Sequence, residues 1–133
     1  MTLPHKQAVN TDKAWDWGDL PYPQGILSGD LVFVSGQLGI DLKTGQPAAG
    51  GIKPQTRAVL EQVQAILEAA GCTIDDILKT TCYLTDRERD YVGFNEVYRE
   101  FFPSNTPARA TIEISKLAPG YDIEIEAVAR RRG

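Results

Sequence analysis

Two stretches near the C-terminus constrain the fold more than any other part of the chain. Ala108, Ala110, Ile112 and Ile114 alternate with Arg109, Thr111, Glu113 and Ser115. Ile123, Ile125, Ala127 and Ala129 alternate with Glu124, Glu126, Val128 and Arg130. Period two sends successive side chains to opposite faces, so each stretch is a strand with one apolar face. The short link Leu117–Tyr121, with Pro119 and Gly120 at its centre, predicts an antiparallel hairpin. In that hairpin Arg109 faces Val128, and Glu124 stands four residues further along, roughly 13 Å away at the usual strand rise.

The preceding residues add two helices and more strands. Leu31–Ser35 is a β-branched apolar run closed by Gly36, hence a buried strand. Residues 41–51 hold Lys43-Thr44-Gly45-Gln46-Pro47 and read as a turn. From Pro54 to Ala70, the positions Val59, Leu60, Val63, Ile66 and Leu67 recur at helical spacing, and Gly71 stops the helix. Ile77–Thr85 is a strand, and Asp86 caps a second helix through Phe102 with Tyr91, Phe94, Tyr98 and Phe101 on one stripe. Residues 1–30 are rich in turn formers and read as irregular, the first 20 forming an N-terminal arm of one domain over residues 1–133. The order β, β, α, β, α, β, β is an α+β domain, a mixed sheet with both helices on one face.

A chain of 133 residues buries enough surface to fold as one domain without disulfide or metal. Its net charge of -4 speaks against a dedicated nucleic-acid binder, and one His with two Cys cannot build a His-rich or Cys-rich metal centre. Cys72 and Cys82 match no zinc or redox spacing and read as small buried residues. No run is long and apolar enough for a membrane span, and residues 1–12 lack a signal-peptide core, so a cytoplasmic location is expected.

Arg109 is the first candidate for chemistry. It sits in Pro107-Ala-Arg-Ala-Thr111, where small neighbours leave room around a guanidinium, whose planar fork suits a carboxylate. With Ala108 and Ala110 beside it, the side chain is expected to pack against little. An ordinary surface or strand-pairing arginine would look the same. Glu124 and Glu126 share one strand face and would raise each other's pKa if buried; otherwise they are the polar face of an edge strand. No His stands where it could activate Ser35, so a serine-hydrolase triad is not expected. Trp15 and Trp17 read as cover for a core edge, and Arg130–Arg132 as a solvated basic tail.

Taken in order, the strings Pro21-Tyr22-Pro-Gln24-Gly25, Leu31-Val-Phe-Val-Ser35-Gly36-Gln37, Lys79-Thr80-Thr81, Phe94-Asn95, Tyr98, Phe101-Phe102, Pro107-Ala-Arg109 and Ile123-Glu124-Ile-Glu126-Ala127 resemble the RidA (YjgF) family over about residues 20–130. The resemblance implies a chorismate-mutase-like α+β fold assembled as a homotrimer with ligand clefts between subunits. It also implies hydrolytic deamination of enamines and imines such as 2-aminoacrylate and 2-iminopropanoate, with no cofactor and no metal. Arg109 matches the residue that clamps the substrate carboxylate, and Glu124 the carboxylate that orients water. Tyr22, Ser35, Gly36 and Asn95 match the cleft lining. Thr111 stands where many relatives carry Cys, and the segment between Phe102 and Arg109 is shorter than in some members. Some relatives have been described as endoribonucleases or translation inhibitors, and a non-catalytic ligand-binding trimer is a third alternative.

Overall fold

The computed structural model describes residues 5–132. Its strands are β1 (Gln7–Val9), β2 (Gly25–Ser28), β3 (Leu31–Leu38), β4 (Ile40–Asp41), β5 (Gln46–Pro47), β6 (Ile77–Leu84), β7 (Ala108–Glu113) and β8 (Ile123–Arg130), with helices α1 (Ile52–Ala69) and α2 (Arg87–Phe101). Helical spacing in α1 brings Val59, Leu60, Val63, Ile66 and Leu67 to one face, where all are fully buried. Each such side chain contributes about 1.5–3 kcal/mol on burial. The helix stops where Gly71 takes a φ of 85° and the Cys72 N–H returns to the Leu67 carbonyl at 2.8 Å. Asp86 caps α2 as expected, its Oδ1 accepting from the Arg89 N–H at 3.1 Å.

Six strands form one mixed sheet in the order β1-β2-β3-β8-β6-β7, and both helices pack on the same face. That face carries Val32 and Val34 of β3, Thr80, Cys82 and Leu84 of β6, and Ile123, Ile125, Ala127 and Ala129 of β8. Cys72 and Cys82 are free and buried in this core. The opposite face carries Phe33, Lys79, Thr81, Tyr83, Ala108, Ala110, Ile112, Glu124, Glu126 and Val128, as the strand registers dictate.

The expected C-terminal hairpin does not exist. β7 pairs parallel with β6, Arg109 beside Thr80, while β8 pairs antiparallel with β6 on its other side. Helix α2 is the crossover that a parallel β6–β7 pair requires, and it places β7 at the sheet edge. Val128 therefore faces Phe33 and Lys79, not Arg109. Alternation defined each strand's two faces and left its partner open.

Two further expectations change. Residues 1–30 are not irregular throughout, since β1 and β2 extend the sheet beyond β3. Pro4, counted in that arm, lies outside the described residues. The 41–51 turn carries a minimal hairpin of β4 with β5.

Candidate active site

The residues singled out in the sequence fall into two clusters on opposite faces of the sheet. The first lies where edge strand β7 passes α2. Arg109 Nη1 donates to Asn95 Oδ1 at 2.7 Å, and Nη2 donates to the Tyr91 hydroxyl at 3.2 Å. Tyr91 and Asn95 are one helical turn apart, so a single face of α2 grips the guanidinium. The cation lies 5.1 Å from the Phe94 ring centroid and 4.9 Å from that of Tyr98. Arg109 thus packs against aromatic rings instead of against little, a cation–π bed the small neighbours did not reveal. Among the described residues no carboxylate pairs with it; the ion pairs found there use Lys53 and other arginines.

Thr111 points to the same side, beside Cys82, and its hydroxyl is buried without a hydrogen bond. Burial pushes the Cys82 thiol up to about 11, so it stays neutral next to Arg109. The hydroxyls of Thr80 and Tyr98 hydrogen-bond at 2.7 Å beneath the guanidinium.

The second cluster forms at an irregularity in β3, where the ladder with β8 shifts between Val34 and Gln37. The shift takes Ser35 and Gly36 out of regular pairing. Ser35 donates its hydroxyl to the Pro23 carbonyl at 2.6 Å, and the Tyr22 hydroxyl donates to the Gly36 carbonyl. A side chain at Gly36 would lie 2.6 Å from Glu124 Oε2, so the absence of a Cβ is what admits the carboxylate. Gln24, buried, ties the segment down by donating to the carbonyls of Thr11 and Trp15 at 3.0 Å while its own carbonyl accepts from the Ser35 N–H at 3.0 Å. Trp17 stacks on Tyr22 at 4.9 Å between centroids, so it backs a candidate site residue as well as the arm.

Electrostatics in this cluster favour protonated forms. Burial, then the charge of Glu126, holds the Glu124 carboxyl above its ordinary range. Burial, then the two glutamates, pushes the Tyr22 phenol up to about 12. Tyr83 donates to Glu126 Oε1 at 2.6 Å, which raises that phenol to about 12 as well. β8 lies between β3 and β6, so Glu124 and Glu126 belong to an interior strand and not to an edge.

Tyr91 and Tyr83 were not identified as site residues from the sequence. Tyr91 belongs to an aromatic stripe that reads as packing, and the signal available was its placement four residues before Asn95. Tyr83 had no signal, because its contact with Glu126 crosses between strands whose pairing alternation leaves open.

An α+β domain of this topology, with an arginine bed on one sheet face and a glutamate–glycine cluster on the other, defines the class. The chain belongs to the RidA (YjgF) family, whose matching family model, described as Endoribonuclease L-PSP, covers residues 19–131. A RutC family protein of Pyrococcus horikoshii is 50% identical over 109 residues, covering 82% of this chain and 86% of that one. The human 2-iminobutanoate/2-iminopropanoate deaminase is 41% identical over 109 residues, covering 82% of this chain and 79% of its own. Among solved structures, Escherichia coli TdcF with bound serine superposes at a TM-score of 0.88 with 37% identity, covering 96% of this chain and 100% of that one.

Proposed function

We propose that this chain is a hydrolytic deaminase of reactive enamines and imines of the 2-aminoacrylate and 2-iminopropanoate type, acting as a homotrimer with its sites between subunits. The observation that carries the proposal is the Arg109 guanidinium, half-buried on aromatic rings, steadied by two neutral groups and without an acidic partner among the described residues. A cation held that way is suited to a ligand carboxylate. The deaminase names of relatives about 40% identical support the same reaction class.

In this mechanism Arg109 fixes the substrate carboxylate, and Asn95 and Thr111 line its side of the cleft. Glu124 of a neighbouring copy takes a proton from water as the oxygen attacks the imine carbon. Glu124 returns that proton to the nitrogen, giving a tetrahedral carbinolamine. As this collapses to a carbonyl its hydroxyl proton passes to the nitrogen as well, the C–N bond breaks, and the nitrogen leaves as ammonia with Glu124 again a carboxylate. One water is consumed, and one 2-keto acid and one ammonia are released, with no change of oxidation state. Tyr22, Ser35 and Gly36 stand beside Glu124 and shape the water's approach. An imine is already electrophilic, so orientation and one placed base suffice.

The trimer rests on the sheet face that carries no helix. Phe33 and Ile112 are exposed there to 43% and 44% beside Val128, Ala108 and Ala110. Covering that face with further copies buries apolar surface and gives Arg109 a route to a second copy's Glu124. Sedimentation should report three times the 14.6 kDa chain mass, and a single-chain mass at micromolar concentration would refute the trimer.

The ribonuclease reading in the family's description requires cations free for phosphate. In the basic tail, Arg130 pairs with Asp30 at 2.8 Å, Arg132 with Asp76 at 2.7 Å, and Arg131 donates to the Gly29 carbonyl at 3.3 Å. The deciding experiment generates 2-aminoacrylate from serine with a serine dehydratase and follows pyruvate. Added protein should accelerate pyruvate release. An unchanged rate would leave the non-catalytic ligand-binding alternative, and RNA cleavage that survives Arg109→Ala would favour the nuclease.

A further inference from the structure

Tyr91 is set apart from the other tyrosines by what surrounds it. Its hydroxyl accepts from Arg109 Nη2 at 3.2 Å, and the Arg87 guanidinium lies 4.0 Å from its ring centroid. Arg87 comes from the same helix one turn earlier and Arg109 from β7, so cations approach the phenol from two elements. Asn95, one turn later, holds Arg109 Nη1 at 2.7 Å. Glu113, the acidic residue at the far end of β7, is engaged elsewhere, its Oε1 accepting from the Arg87 backbone N–H at 2.9 Å. Among the described residues the Tyr91 hydroxyl donates to no acceptor.

We propose that Tyr91 is a positioning residue of the anion subsite, its hydroxyl fixing the rotation of the Arg109 fork that receives the ligand carboxylate. This inference rests on the proposed role of Arg109 as that clamp. A guanidinium has five N–H donors in one plane, and binding a carboxylate by two parallel bonds requires the plane to be set before the ligand arrives. Asn95 alone is one anchor and leaves the plane free to turn about it. Tyr91 supplies the second anchor, and the rings of Phe94 and Tyr98 support the plane from below.

The acidity of the phenol supports the same arrangement. The Asn95 hydrogen bond, then the Arg109 charge and further the Arg87 charge, hold Tyr91 below the ordinary tyrosine range. The other four tyrosines, Tyr22, Tyr83, Tyr98 and Tyr121, are all pushed the opposite way. Tyr91 is therefore the first of the five to ionise. Once ionised it becomes an anion on Arg109 and competes with the ligand. By linkage, a bound carboxylate must raise the pH at which it ionises.

The test titrates the intact protein with alkali, follows phenolate absorbance, and repeats the titration with saturating pyruvate. Parent protein should show one early-ionising tyrosine that moves to higher pH with pyruvate, and Tyr91→Phe should lack it. The same variant, which keeps the ring and removes one oxygen, should bind pyruvate about five- to tenfold more weakly. With an imine substrate its KM should rise by a similar factor while kcat changes less than about twofold. An early tyrosine that ignores pyruvate, equal pyruvate binding by parent and variant, no binding by the parent, or a fall in kcat at constant KM would each overturn the inference. A parent that binds pyruvate in a Tyr91-dependent way but turns over no imine would instead sink the deaminase reading and leave this subsite standing.

Discussion

Arg109 and Glu124 project from opposite faces of one sheet, with β6 standing between their strands. Arg109 sits beside Thr80 of β6, on the face covered by the helices, and Glu124 sits opposite Tyr83, on the face without them. Side chains so placed cannot meet across their own sheet. One substrate that needs both must take them from two copies of the chain, which is why the proposed site and the proposed trimer stand together.

Replacing Arg109 by alanine should lower imine deamination by roughly 30- to 1,000-fold, the loss of about 2–4 kcal/mol of charge-assisted binding to the transition state. Arg109→Lys should restore little, because an ammonium keeps the charge and loses the fork. Because the guanidinium rests on the rings of Phe94 and Tyr98, the alanine variant should also lose about 0.5–1 kcal/mol of stability. Coupled rates and denaturant melts measure both. Full activity in the alanine variant would make Arg109 structural.

Glu124→Gln should separate activity from stability. The Glu124 carboxyl is held above its ordinary value of 4.5 by burial and by Glu126, so the folded chain binds this proton more tightly than the unfolded chain does. Stability from this group is then greatest below the unfolded value, falls as pH rises toward the folded value, and stays reduced above it. The glutamine variant should melt at or above the parent temperature at neutral pH, with the gap closing in acid. Its activity should drop by about 100-fold or more if the carboxylate serves as base. The parent's rate should fall in acid as Glu124 takes its proton, at a pH above 4.5. A variant that melts well below the parent at neutral pH would contradict the sign.

Gly36→Ala tests whether the missing Cβ matters to the glutamate. The new methyl would stand 2.6 Å from Oε2 and 2.8 Å from the carboxyl carbon of Glu124, so the flexible side chain must swing aside. A catalytic group misplaced by about 1 Å costs on the order of 100-fold in rate. Activity should fall by at least tenfold while the melting temperature changes little, since the clash is with the end of a side chain. Unchanged kinetics would remove Glu124 from the water-orienting role.

Much of this was legible in the residues. Helical spacing located α1 and α2 to within two residues, and Asp86 and Gly71 marked their ends, because caps and periodicity are local physics. Pairing was not legible. Ile112 and Ile125 alternate with polar residues equally well in a hairpin or on either side of β6, and only the crossover helix decides between them. The site followed the same division. Arg109 and Glu124 stood out by residue type, but their opposite faces followed from pairing. Tyr91 read as packing because its hydroxyl finds Arg109 only once β7 lies beside α2.

Mixing two inactive variants tests most directly whether Arg109 and Glu124 of different copies serve one site. Arg109→Ala and Glu124→Gln chains are co-expressed in equal amounts, and pyruvate release from 2-aminoacrylate is compared with that of each variant alone. In a closed ring of three, every mixed ring keeps one intact pairing of Arg109 from one copy with Glu124 from the next. Random assembly should therefore restore about a quarter of the parent rate. A mixture no faster than the two variants measured separately would contradict the shared site.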